Sequence, residues 1–137
     1  MGQHRIEVLQ EFQKPVEEVF SYLADHNNLS KVFGIPVKRI KDGDDDVNGV
    51  GSVRALGFAP LATEETVVDL VPNQSIDYVI TKNGGPIMNH HGRLVFSKTA
   101  RGSRVEWIIT FESLPVVGTA VAKVLELGVS RGLKKLA

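Results

Sequence analysis

The sequence contains no cysteine, which excludes disulfide bonds, thiolate metal sites and a catalytic cysteine. It also has no net charge, because 16 Lys and Arg residues balance 16 Asp and Glu residues. Nucleic-acid binders normally carry a basic excess, so we expect no nucleic-acid partner. No uncharged apolar run approaches the roughly 18 residues of a membrane span, and the first residues lack the apolar region of a secretory signal. A soluble cytoplasmic protein is therefore expected.

The chain offers enough apolar material for one well-packed domain. It has 137 residues, of which 42% are hydrophobic, and it shows no repeat or linker. A chain of this length buries about two-thirds of its unfolded surface on folding. We therefore predict a single domain over residues 1–137, present as a monomer or a weak homodimer.

The order of predicted elements is one strand, two helices, six strands and a long final helix. Residues 5–12 alternate as a strand, and Pro15 opens a helix whose apolar residues recur every three or four positions. Residues 29–33 could add a short helical turn. Turn residues then separate the predicted strands, which lie near 36–41, 50–58, 62–71, 75–82, 88–98 and 103–113. The last helix runs from Pro115 towards Ala137.

This order predicts an α+β fold in which the final helix packs on a curved antiparallel sheet. A curved sheet wrapped around a single helix leaves a gap, and a ligand cavity is expected there. The helix contains Gly118, Gly128 and Gly132. These glycines could allow close backbone packing or mark a fraying helix end, or Gly128 and Gly132 could widen the cavity.

The layout resembles the START-like (SRPBCC) superfamily and, within it, the polyketide cyclase/dehydrase-type proteins. The stretches that carry the resemblance lie along nearly the whole chain: 15–20, 49–54, 64–67, 76–78 and 104–107. The resemblance implies a helix-grip fold, with about seven strands wrapped around the C-terminal helix. It also implies a hydrophobic ligand between sheet and helix.

From about Pro15 onward, the chain also resembles the plant abscisic acid receptors. Residues 57–62 correspond to the receptors' gate loop, but neither the gate sequence nor the latch motif is reproduced, so abscisic acid itself is not the expected ligand. The resemblance implies pocket positions at Lys31, Glu65, Tyr78, His90, Glu112, Val124 and Gly128.

Strand parity independently predicts the directions in which the two adjacent histidines point. His90 shares parity with Leu94 and Phe96, whereas His91 shares parity with Arg93. Alternate side chains point to opposite faces of a sheet, so we expect His90 to face the core and His91 to face solvent. His90 could then contact a polar ligand group, act as a general acid or base, or be a histidine satisfied by a neighbouring group.

Strand parity gives a less certain orientation for the other polar candidates. Glu112 is expected at the surface, because the alternate positions of its strand are more apolar. Glu65 could face either way, and Tyr78 could line the pocket or pack in the core. Arg54 could enter the cavity and hold an acidic ligand group, although solvent exposure is the expectation. Trp107 is expected in the core.

No motif assigns a catalytic residue, a metal or a cofactor. Asp44, Asp46 and Asn48 match the first half of a calcium loop, but Ala55 stands where the closing glutamate is required, so a solvated hairpin tip is expected instead. We therefore expect no cofactor.

The sequence leaves three candidate functions open. The first is binding, for transport or sensing, of a small hydrophobic molecule that is lipid- or polyketide-like, with Lys31, Arg54 or His90 orienting its polar end. The second is an aromatase/cyclase or dehydrase-type enzyme acting in the same cavity. The third is a protein-interaction module whose cavity is filled by its own side chains.

Overall fold

The computed structural model describes residues 2–137, which form seven strands, three α-helices and one short 3-10 helix. In chain order the elements are β1 (Gly2–Phe12), α1 (Val16–Ala24), the 3-10 helix (His26–Leu29), α2 (Ser30–Phe33), β2 (Val37–Lys41), β3 (Val53–Leu56), β4 (Thr63–Val71), β5 (Ser75–Lys82), β6 (Met88–Thr99), β7 (Gly102–Ser113) and α3 (Pro115–Leu136). This order confirms the α+β helix-grip fold predicted from the sequence.

The seven strands form one antiparallel sheet in the order β1-β7-β6-β5-β4-β3-β2. Register shifts interrupt the β4–β5 pairing and the β6–β7 pairing. Such irregularities bend a strand and increase its twist, which helps the sheet to curve around the elements on its concave face. Turns join consecutive strands from β2 to β7, while β1 lies beside β7 at the edge of the sheet.

The core lies on the concave face of the sheet. Every second residue of β7 is buried from Val105 through Trp107 and Ile109 to Phe111, as alternation predicts. Trp107 is therefore a core residue, as expected. Helix α1 covers one end of this face with four buried side chains, which are Val16, Val19, Phe20 and Leu23.

Helix α3 packs tightly only along part of its length. Its buried residues are Gly118 near the start and Val129, Gly132 and Leu133 towards the end. It contacts β1 and α2 more extensively than the middle of the sheet. In its central part Val124 and Leu127 are exposed, and Val121, Ala122 and Leu125 are only partly buried. The middle of α3 is therefore less completely packed than its last turns.

One predicted strand is much shorter than expected. The strand predicted near 50–58 is observed only over Val53–Leu56, because Gly51 and Gly57 adopt φ angles of 90° and 94°. These angles lie in the left-handed region that glycine tolerates and an extended strand does not use. The two glycines therefore set the ends of β3.

Candidate functional site

A cavity of about 280 Å³ lies between α3 and the central strands of the sheet. Apolar side chains from α2, β3, β5, β7, α3 and the connecting segments form most of its wall, and these are Phe33, Ile35, Leu56, Ile80, Ile87, Ile109, Val124 and Leu125. The polar residues that line it are Thr63, Glu65, Tyr78 and His90. The expected hollow between sheet and final helix is therefore present.

Gly128 helps to keep this cavity open. It lines the cavity, and a Cβ added there would meet no atom within 4 Å. Val124, one turn earlier on α3, also lines the cavity and is 70% exposed, so the cavity reaches solvent beside it. The central part of α3 thus forms one side of the cavity mouth.

Gly132 has a different role from Gly128. A Cβ at Gly132 would collide with the backbone of Val32 in α2. Gly118 is similarly constrained, because a Cβ there would collide with the ring of His4. Of the alternatives raised by the sequence, close packing therefore applies to Gly118 and Gly132, and cavity widening applies to Gly128 alone.

A buried ion pair lies beside the cavity. Arg54 on β3 and Glu65 on β4 are direct partners in the strand register, and Arg54 Nε donates to Glu65 Oε1 at 2.8 Å. The guanidinium group also lies over the ring of Tyr78, 4.4 Å from its centroid, in a cation–π arrangement. Only 3% of Arg54 is exposed, so the expectation of a solvent-facing arginine is wrong. The register explains the correction, because it places a carboxylate directly opposite the guanidinium.

His26 is a buried polar residue that the sequence analysis missed. Its Nδ1 lies 3.1 Å from Arg54 Nη1 and its Nε2 lies 2.7 Å from Ser52 Oγ. Because an arginine can only donate, Nδ1 accepts and Nε2–H donates to the serine hydroxyl. Burial, followed by the charges of Arg54 and Arg39, lowers the pKa of His26 to about 3. The imidazole is therefore neutral and does not act as a base towards Ser52.

His90 reaches the cavity from the irregular start of β6. Residue Asn89 has a φ of 50°, and the β6–β7 register shifts between Met88 and His91. The backbone N–H of Ile80 donates to His90 Nδ1 at 3.1 Å, which leaves the proton on Nε2. Burial lowers the pKa of His90, partly opposed by the nearby Glu65 carboxylate. His90 is thus a neutral hydrogen-bond donor at physiological pH.

The adjacent histidine lies on the opposite face, as parity predicts. His91 Nε2 is 2.7 Å from Asp77 Oδ2, and Arg93 Nη1 donates to Asp77 Oδ1 at 2.6 Å. Both His91 and Arg93 are partly exposed, whereas His90 is buried. The inward orientation of His90 and the outward orientation of His91 are therefore confirmed.

Tyr78 joins the cavity wall to the core. Its hydroxyl accepts a hydrogen bond from Trp107 Nε1 at 2.9 Å. Burial, reinforced by the Glu65 carboxylate, raises the pKa of Tyr78, so the phenol stays protonated. Its ring packs over Gly92, where any Cβ would collide with it. Tyr78 is therefore both a lining residue and a core residue.

The structure brings most, but not all, of the predicted pocket residues together. Glu65, Tyr78, His90, Val124 and Gly128 line the cavity, and Arg54 is held behind Glu65. Lys31 is exposed on α2 and is not among the lining residues. Glu112 is half-buried on the other face of β7, where it accepts a hydrogen bond from Asn89. Its outward orientation agrees with parity.

The acidic run after β2 folds as a loop of turns. Asn48 Oδ1 accepts hydrogen bonds from the Arg39 side chain at 2.9 Å and from the backbone N–H of His26 at 3.4 Å. These bonds tie the loop to the 3-10 helix. Across residues 2–137, no group of three or more His, Asp or Glu side chains is placed to hold a metal ion.

The sequence of residues 3–137 matches the family model described as polyketide cyclase/dehydrase and lipid transport. The chain belongs to this family. The match confirms the START-like (SRPBCC) resemblance that the sequence suggested. A search of curated proteins gave no match.

Solved structures share the fold at low sequence identity. Ara h 8.0201 is 16% identical over 98% of this chain and 97% of its own, with a TM-score of 0.71. A protein from Chromobacterium violaceum is 20% identical over 97% and 94% of the two chains, also with a TM-score of 0.71. The di-domain ARO/CYC StfQ from the steffimycin biosynthetic pathway is 15% identical over 98% of this chain and 49% of its own, with a TM-score of 0.70.

None of the helices between residues 2 and 137 combines the length and the apolar character needed to cross a membrane. The longest, α3, has 22 residues but carries charged side chains along its length.

Proposed function

We propose that this family member binds a small hydrophobic molecule in the cavity between the sheet and α3, for transport or sensing. The observation that carries the proposal is the cavity itself, which is about 280 Å³ in volume and mostly apolar in its lining. Ligand sites in proteins are concave, mainly apolar and furnished with a few polar groups, and this cavity has that composition.

The size of the cavity favours a compact ligand. Its volume of about 280 Å³ is near the lower end of the roughly 300–1,000 Å³ typical of ligand pockets. Burying apolar ligand surface contributes about 25 cal/mol per Å², so a molecule of one or two rings could bind through contact with the isoleucine, leucine and valine side chains of the wall.

An aromatase/cyclase-type reaction is the second candidate, because Glu65, Tyr78 and His90 share the cavity and StfQ has the same fold. Binding is favoured over catalysis by the state of two of these groups, His90 and Tyr78. His90 Nδ1 already accepts the Ile80 N–H, and the raised pKa of Tyr78 keeps its phenol protonated. Neither group is therefore set to remove a proton. Catalysis would instead be favoured if the wild type turned over a polyketide-like substrate and His90→Phe did not, although the variant still bound apolar ligands.

The variant Gly128→Leu tests the cavity directly. A leucine side chain would enter open space and occupy the site, while replacing a helix-interior glycine. We expect the variant to fold with equal or higher stability and to lose the binding of 2-methylnaphthalene, a two-ring apolar probe, measured by isothermal titration calorimetry. Ser130→Leu, on the exposed side of the same helix, is the matched control and should bind as the wild type does. Unchanged binding by Gly128→Leu would refute the proposed site.

Native mass spectrometry of the protein purified from its own host would identify a ligand that travels with it. The same spectra would test the prediction of a monomer or weak homodimer. Cytoplasmic localisation and the single-domain assignment also stay predictions from the sequence.

A further inference from the structure

We propose that Glu65 and His90 together recognise a hydroxyl group on the ligand, so that the preferred ligand is a neutral alcohol or phenol. This inference rests on the proposed binding function and specifies its ligand class. It starts from two polar atoms that share the cavity. Glu65 Oε2 and His90 Nε2 are 4.0 Å apart, which is too long for a direct hydrogen bond.

The other polar atoms of the two side chains are already engaged. Glu65 Oε1 accepts from Arg54 Nε at 2.8 Å, and His90 Nδ1 accepts from the Ile80 backbone at 3.1 Å. Within residues 2–137, Glu65 Oε2 and His90 Nε2 take part in no hydrogen bond. Both residues are buried, with side-chain exposures of 8% and 4%. Neither atom is among the fully buried side-chain atoms that lack a partner, so both are open to the cavity, where a ligand can bring a partner.

The two atoms differ in hydrogen-bonding character. Glu65 Oε2 belongs to a carboxylate, and can only accept. His90 Nε2 carries the ring proton, because Nδ1 is an acceptor, and so it can only donate. A hydroxyl group supplies both complements, since its hydrogen can bond to Glu65 while its oxygen accepts from His90. An oxygen about 2.8 Å from each atom fits between two atoms that are 4.0 Å apart.

The charges around the pair disfavour an ionised ligand group. A ligand carboxylate would approach the Glu65 carboxylate, and a ligand ammonium would approach the neighbouring Arg54 guanidinium. The two protein charges already neutralise each other through the 2.8 Å ion pair. The alternative in which Arg54 holds an acidic ligand group gives way in this proposal to Arg54 as a positioning residue, which fixes the orientation of the Glu65 carboxylate.

The first test compares three probes on the wild-type protein by isothermal titration calorimetry at pH 7. The probes are 2-naphthol, 2-methylnaphthalene and 2-naphthoate, which share the fused rings and differ in one substituent. We expect 2-naphthol to bind about tenfold or more tightly than 2-methylnaphthalene, although it is the less apolar of the two. We expect 2-naphthoate to bind more weakly than either.

The second test assigns the preference to the two residues. Glu65→Gln and His90→Phe should each reduce the preference for 2-naphthol over 2-methylnaphthalene about tenfold or more. Glu64→Gln and His91→Phe are the matched controls, because the neighbouring residues lie on the opposite face, and they should keep the wild-type preference. Because the comparison of wild-type affinities needs no variant, a misfolded variant does not remove the test.

The outcomes separate this inference from the proposed function. If 2-naphthol and 2-methylnaphthalene bind equally well, the apolar cavity is supported and the hydroxyl-recognising pair is wrong. If 2-naphthoate binds most tightly, the site recognises an acid and the inference is also wrong. If neither uncharged probe binds, the proposed function fails and the inference fails with it.

Discussion

Arg54 and Glu65 face each other across β3 and β4 and form a salt bridge of 2.8 Å with side-chain exposures of only 4% and 8%. The pair lies between the cavity and the 3-10 helix, because Arg54 also donates to His26. One cross-strand contact therefore connects the candidate binding site with a buried polar cluster outside it. The contribution of this contact to the free energy of unfolding can be measured.

Removing one partner of this pair should be strongly destabilising. Arg54→Met leaves the Glu65 carboxylate buried without its cation, and the loss should be about 3–5 kcal/mol in the free energy of unfolding. Urea denaturation measures it. The double variant Arg54→Met/Glu65→Leu should recover much of the loss, because no uncompensated charge remains.

The exposed pair of Arg5 and Glu7 is the control for this experiment. Its side chains are 58% and 52% exposed, and surface ion pairs contribute about 0–1 kcal/mol. A similar loss in Arg5→Met and Arg54→Met would contradict the importance of burial.

The hydrogen bond between Trp107 and Tyr78 gives a second prediction. Tyr78→Phe would leave the buried Trp107 N–H without its acceptor, at a cost of about 1–3 kcal/mol. Trp107 is the only tryptophan in the chain, so its fluorescence reports both the local change and global unfolding. Tyr22→Phe, at a partly buried position, is the control. Unchanged stability in Tyr78→Phe would show that the N–H finds another partner.

The sequence predicts elements well where burial follows a simple period. The 3.6-residue period of α1 and the alternation of β7 both reflect one apolar face, and both are observed. Parity also predicts which of His90 and His91 faces inward. These patterns are local consequences of how side chains leave a helix or a strand.

Cross-strand register and loop contacts could not be predicted in this way. Arg54 is buried because β3 pairs with β4 so that Glu65 lies opposite it, and no local pattern specifies that pairing. His26 is buried because Asn48 and the loop around it fold back on the 3-10 helix. The gap under the middle of α3 likewise depends on how closely Gly132 lets the helix approach α2.

The buried histidines predict a loss of stability in acid. The pKa of His26 falls from 6.5 to about 3 on folding, and that of His90 is also lowered. Below about pH 6.5 the unfolded chain therefore binds protons that the folded protein does not. The free energy of unfolding should fall as the pH is lowered from about 6.5 towards 3, by up to about 1.4 kcal/mol per pH unit for His26. His90 should add a loss of the same sign.

Urea denaturation at a series of pH values measures this dependence. His26→Gln keeps a donor and an acceptor for Ser52 and Arg54 but cannot titrate. Its stability should vary less with pH than that of the wild type over this interval. His91→Gln controls for the loss of one histidine from the outer face. Identical pH profiles for His26→Gln and the wild type would contradict a titrating His26.

Two glycines of α3, one turn apart, should respond to alanine in opposite directions. Gly128→Ala adds a methyl group in open space and removes the entropic cost of a helix-interior glycine, so the free energy of unfolding should rise by about 1 kcal/mol. Gly132→Ala gains the same propensity but drives its methyl group into the backbone of Val32, so α2 and α3 must separate and stability should fall. Thermal or urea denaturation of the two variants measures both changes in the free energy of unfolding. The comparison is matched, because the helix and the substitution are the same and only the surroundings of the added methyl group differ. Stabilisation by both variants would mean that α3 does not approach α2 this closely, and the packing that holds the middle of the helix above the cavity would have to be revised.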